Sequence, residues 1–171
     1  MIEYLALNGT YLAWEGLMLR FSFLLFAIAG LVGAQSQPNF SGTWKLNVAE
    51  SDFNDKRAVV PDRLVLTIQH KNDKLKFKNE WQKADKKNSF DVDLTIGGPP
   101  YESNAAGVVT AERKGDALIV NTLYNPGTER QSDQVQTWNL SADGKKMIEE
   151  LTVHPPGNRP EVRIKRVFEK Q

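Results

Sequence analysis

Apolar and polar residues trade places one by one along most of this chain, and a period of two commits it to strands. Leu75, Phe77, Asn79 and Trp81 fall on one parity, and Lys74, Lys76, Lys78 and Glu80 on the other. That is the pattern of a strand with one wet face. Phe90, Val92, Leu94 and Ile96 repeat it against Asp91, Asp93 and Thr95, and Leu64, Leu66 and Ile68 share a parity just upstream. The same reading predicts strands over 106–113, 116–124, 131–141, 146–154 and 161–169. Turn chemistry separates them: Asn72-Asp73, Gly97-Gly98-Pro99-Pro100, Gly115-Asp116, Asn125-Pro126-Gly127, Asp143-Gly144 and Pro155-Pro156-Gly157-Asn158. No segment offers a long helical period, which argues against a parallel βαβ sheet.

About nine strands at short, regular spacing leave a sandwich or a barrel. Charged outer faces without covering helices oblige the sheet to bury its apolar face on itself, and closure removes edges open to aggregation. The expected fold class is all-β, an antiparallel up-and-down β-barrel of about eight to ten strands, preceded by an N-terminal signal helix.

Met18-Leu19-Arg20 sets one positive charge before the apolar run Phe21 to Val32, which ends in Gly33-Ala34. These are the charged start, apolar middle and small-residue cleavage site of a secretory signal peptide. The run falls short of the about 20 residues that cross a bilayer, so no stable membrane span is expected after cleavage. Residues 1–17 hold Glu3 and Glu15 and no basic residue, a poor lead-in. Met18 therefore reads as the start, with 1–17 an upstream mis-start or extension, 18–34 the signal peptide and 35–171 one barrel domain. The expected location is outside the cytoplasm, periplasmic or secreted.

A net charge of +1 with no basic block points neither to nucleic acid nor to an anionic membrane surface, so no nucleic-acid partner is expected. The absence of Cys excludes disulfides, thiolate catalysis, Cys-based metal sites and a Cys-linked lipid anchor.

The two ends of the barrel segment carry the most specific signal. Phe40, Gly42, Trp44, Leu46 and Val48 share one parity, so Trp44 faces inward beside Gly42. A Gly inside a strand marks a bulge, a bend or a close approach. In the closing strand Val162, Ile164 and Phe168 line one face, with Arg166 among them. An inward Arg needs a partner, and the Trp44 ring offers cation–π stacking worth about 0.5–2 kcal/mol.

Gly42-x-Trp44 with a basic residue on the last strand resembles the signature of the calycins, the lipocalins and intracellular fatty-acid-binding proteins. Phe40-x-Gly42-Thr43-Trp44-Lys45-Leu46 and Arg166-Val167-Phe168-Glu169-Lys170 are similar to the opening and closing strands of the fatty-acid-binding branch. The opening also resembles that of small exported bacterial proteins of lipocalin-like type, whose function is unassigned. The resemblance implies a barrel with a ligand-holding interior. Two departures qualify it. The fatty-acid-binding branch has a Tyr two residues after its closing Arg, and the pair holds the ligand carboxylate; here that position is Phe168. The branch also inserts a helix–turn–helix lid after its first strand. Here Ala49 to Pro61 suffices for a loop or one short helix, with Ser51 or Asp52 as its N-cap.

Gly42, Trp44 and Arg166 are thus the candidate structural signature. Arg166 either stacks on Trp44 and bonds carbonyls at the barrel end, or anchors a ligand carboxylate; the lipocalin pattern favours the first. Parity places Asn79, Thr137 and Glu149 inside, and interior polar residues suit a barrel that holds water and a ligand. Phe77, Trp81 and Phe168 are candidate cavity walls, and Tyr124 and Trp138 are either wall or core. His70 and His154 lie far apart, have no ligand-spaced neighbours and read as surface residues, so no metal is expected. Asp91 and Asp93 read as outer-face charges. No Gly-x-Ser-x-Gly elbow or Ser/His/Asp set is present. The chain is expected to bind a small hydrophobic or amphipathic, lipid-like molecule without catalysis or cofactor. The alternative is a non-catalytic envelope accessory that meets a protein partner through loops 97–105 and 155–160.

Overall fold

The structure is a computed structural model and describes residues 37–53, 55–157 and 159–171. The expected signal helix, its cleavage point after Ala34 and the segment 1–17 lie outside the described residues. Ten strands follow: β1 (Gly42–Asp52), β2 (Arg63–Lys71), β3 (Lys74–Lys83), β4 (Lys86–Thr95), β5 (Tyr101–Ser103), β6 (Gly107–Lys114), β7 (Ala117–Tyr124), β8 (Ser132–Leu140), β9 (Lys146–His154) and β10 (Val162–Lys170). They form one antiparallel sheet in the order β4-β3-β2-β1-β10-β9-β8-β7-β6-β5. Each strand pairs with its sequence neighbour, and β1 also takes β10, which curls the meander into a nearly closed barrel. The exception is a seam between β4 and β5. There the Gly97 N–H donates to the Ala111 carbonyl at 2.7 Å, and the Tyr101 hydroxyl to the Asp91 carbonyl at 3.0 Å. The all-β barrel is as expected, with no helix among the described residues.

Because neighbouring strands run in opposite directions, the β1–β2, β3–β4, β5–β6, β7–β8 and β9–β10 connections gather at one end, the mouth. The other connections and residues 37–41 close the floor. Phe40, Trp44, Leu75, Leu118, Trp138, Met147 and Phe168 are fully buried near that floor. Each such side chain stabilises the fold by roughly 1.5–3 kcal/mol. The Trp138 ring meets Phe77 edge-on at 5.5 Å and Phe40 at 6.4 Å. The Trp44 Nε1–H donates to the Phe40 carbonyl at 2.8 Å, which ties the entering chain to the floor.

β1 departs from the alternation after Leu46. Trp44 pairs with Lys170 and Leu46 with Phe168, but Asp52 pairs with Lys165, so β1 carries extra residues between Asn47 and Asp52. The Ser51 hydroxyl mends the broken ladder, accepting from the Val167 N–H at 2.9 Å and donating to the Asn47 carbonyl at 2.6 Å. Two expectations change here. Val48 leaves the inward face and is 43% exposed, as a bulge dictates, and Ser51 serves a strand pair instead of capping a helix. The β1–β2 connection is a loop, held over the mouth by Arg57, whose guanidinium donates to the Pro160 and Glu161 carbonyls at 2.7 and 2.8 Å.

Candidate functional site

Above the floor the barrel encloses a cavity of about 210 Å³. The wall from β2, β3 and β4 is mainly apolar, with Leu64, Leu66, Phe77, Trp81 and Phe90 beside Asn79 and Asn88. The facing wall from β7, β8, β9 and β10 is mainly polar, with Thr122, Tyr124, Gln134, Gln136 and Arg166 beside Trp138 and Leu151. Two hollows of about 390 Å³ lie elsewhere. Both are surface relief over β2–β4, and the first is crossed by the exposed Lys76–Asp93 ion pair at 2.6 Å.

The polar wall is organised by a carboxylate behind it. Glu149 of β9 is fully buried. Its Oε1 accepts from Gln136 Nε2–H at 2.9 Å and from Trp138 Nε1–H at 3.1 Å, and its Oε2 accepts from Arg166 Nε–H. The cross-strand register builds this cluster, because Glu149 lies directly opposite both Arg166 and Trp138. The Arg166 side chain retains 13% exposure and reaches the cavity. Nearby, burial raises the pKa of the Tyr124 hydroxyl, and the Arg166 charge partly opposes that rise.

The structure reassigns several of the residues singled out from the sequence. Trp44 does carry a cation, but it is Lys170, with Nζ 5.1 Å from the ring centroid; Arg166 belongs to Glu149 and lies 6.0 Å from the Phe168 ring. Gly42 makes the Lys170 contact feasible. Its φ is +144°, and a Cβ there would sit 2.6 Å from Lys170 Cε. Asn79, Phe77, Trp81, Tyr124 and Trp138 line the cavity, whereas Phe168 and Glu149 are buried outside its lining. Thr137 is corrected to the outer face: Gln134, Gln136 and Trp138 take the inward parity of β8. Asp91 and Asp93 are exposed on β4.

His154 is exposed, 2.6 Å from Asp133, but His70 is not a surface residue. Only 6% of it is accessible, and it seals the floor. Its Nδ1 lies 3.2 Å from the Phe40 N–H and its Nε2 lies 2.7 Å from Arg113 Nη2. Burial first, and then the Arg113 charge, hold its pKa below the ordinary 6.5. No cluster of three or more His, Asp or Glu side chains able to hold a metal occurs among the described residues.

Sequence reasoning missed Gln134, Gln136 and Thr122 in the cavity wall and Lys170 over Trp44. The signal for Lys170 was present, since it shares the parity of Arg166 and lies next to Gly42 once the chain ends are paired.

No family model matches this chain, and no curated protein does. Solved structures do. The REP1-NXSQ fatty acid transporter is similar with a TM-score of 0.53 at 18% identity, over 77% of this chain and 95% of that one. Secretory abundant heat soluble protein 4 from Ramazzottius varieornatus is similar with a TM-score of 0.55 at 12% identity, over 81% of this chain and 99% of that one. At such identities the likeness shows the fold alone, a nearly closed β-barrel.

Proposed function

We propose that this chain is an exported binder of a small amphipathic, lipid-like molecule, held in the cavity between the apolar β2–β4 wall and the polar β7–β10 wall. The observation that carries the reading is that division of the lining, since an apolar surface with a few convergent polar groups is what small-molecule sites present. The fold likeness to a fatty acid transporter supports the same class of ligand, and the segment 18–34 supports export. At about 210 Å³ the cavity lies below the roughly 300 Å³ at which sites for drug-sized ligands begin. It therefore suits a short chain, or the inserted end of a longer one. Binding requires no cofactor and no bond-making step.

The test is native mass spectrometry of the purified chain after incubation with a lipid extract, backed by its intrinsic fluorescence, because Trp81 and Trp138 line the cavity. Stoichiometric adducts that quench or shift this emission are expected. An empty protein would instead favour the packed-scaffold reading, in which the outer surface and loops meet a protein partner. The small volume of the cavity is the observation on that side.

A further inference from the structure

Arg166 is the one charged residue among those lining the cavity, and its charge is already matched. Its Nε–H is given to Glu149, which is fully buried and accepts two further hydrogen bonds from Gln136 and Trp138. Among the described residues none takes a hydrogen bond from the two Nη groups of Arg166, so they are the strong donors left for a guest. The cavity therefore offers directed N–H groups without net positive charge. A neutral oxygen can accept from them at little cost. A carboxylate must shed its water and then meet a site whose cation is compensated by a second carboxylate one residue-width behind it. Like charges sharing one cation oppose each other most where the dielectric is low.

We propose that the polar end of the ligand is an uncharged hydrogen-bond acceptor, such as an alcohol, ester or amide oxygen, and that Glu149 acts as an internal counter-ion that excludes carboxylates. This rests on the cavity being a ligand site, as proposed above. Glu149 is a positioning residue in this scheme: it fixes the Arg166 side chain through Nε and cancels its charge.

The experiment compares octan-1-ol with octanoate, matched in chain length, by titration of tryptophan fluorescence and calorimetry at neutral pH. The native chain should bind octan-1-ol at least about tenfold more tightly than octanoate. In Glu149→Gln, which keeps an acceptor for Trp138 and Gln136, the ratio of the two affinities should move toward octanoate by about tenfold or more. An unchanged ratio in a folded Glu149→Gln protein overturns the inference. Should that variant not fold, the native chain decides alone: octanoate binding within about threefold of octan-1-ol overturns it. Binding of neither compound would instead remove the ligand-site reading on which it rests.

Discussion

Replacing Arg166 with Met breaks the Glu149 cluster from the side that can be removed with the least loss of shape. The carboxylate stays fully buried and keeps two neutral donors, Gln136 and Trp138, but loses its cation. Removing one partner of a buried pair costs about 3–5 kcal/mol, a large share of the roughly 5–15 kcal/mol that holds a domain folded. With a urea m-value of about 2 kcal/mol/M, the unfolding midpoint should fall by roughly 1.5–2.5 M. Adding Glu149→Gln to Arg166→Met removes the stranded charge while leaving an amide oxygen for both donors. The double variant should therefore recover to within about 1–2 kcal/mol of the native protein, because a buried pair replaced as a unit is nearly neutral. Urea titration followed by tryptophan fluorescence measures all the corners of this cycle. The reasoning is refuted if Arg166→Met alone costs less than about 1 kcal/mol, or if the double variant is as unstable as the sum of the single ones.

Other perturbations address the floor and the turns. His70 has its folded pKa held below 6.5, so the unfolded chain binds more protons there. Its contribution is complete above about pH 6.5 and lost as pH falls through the depressed folded value, with a slope of at most about 1.4 kcal/mol per pH unit. Chemical denaturation across that window should show the slope in the native chain and a flatter profile in His70→Gln. Ala84 opens a two-residue hairpin loop at φ 49°, where an L side chain costs about 1–2 kcal/mol. Ala84→Gly should therefore raise the thermal midpoint by about 2–5 °C, and a lower midpoint would contradict the strain. Gly42→Ala places a side chain at φ +144° against Lys170. It should destabilise the barrel by about 1–3 kcal/mol, with an unchanged denaturation midpoint counting against a role for that backbone geometry.

The strands were legible because alternation and turn chemistry are local. Asn72-Asp73, Gly115-Asp116 and Asp143-Gly144 all fall between the strands they were expected to separate. β5 was not, since three residues, Tyr101–Ser103, cannot show a period beside Gly97-Gly98-Pro99-Pro100. Parity also fails where the interior is polar. On β8 the apolar Val135 faces out while Gln134 and Gln136 face the cavity, so hydrophobicity alone misplaced Thr137. The β8 part of the cavity wall was thus hidden by its own polarity.

Arg166 and Lys170 show what finer information was needed. Both sit on the inward parity of the last strand, and either could meet Trp44 by parity alone. Register chooses between them: β1 sets Trp44 opposite Lys170, and β9 sets Glu149 opposite Arg166. Neither pairing follows from local sequence, because the first joins the two ends of the barrel and the second depends on how the β9–β10 loop closes. Once both are fixed, the two cations divide the work. Lys170, exposed at the floor, covers Trp44 across the gap left by Gly42. Arg166 is thereby released from the floor and held in the cavity wall by Glu149. A barrel whose closing Arg stacked on Trp44 would lose the one charged donor of its cavity wall, so Lys170, by taking Trp44, leaves Arg166 to that wall.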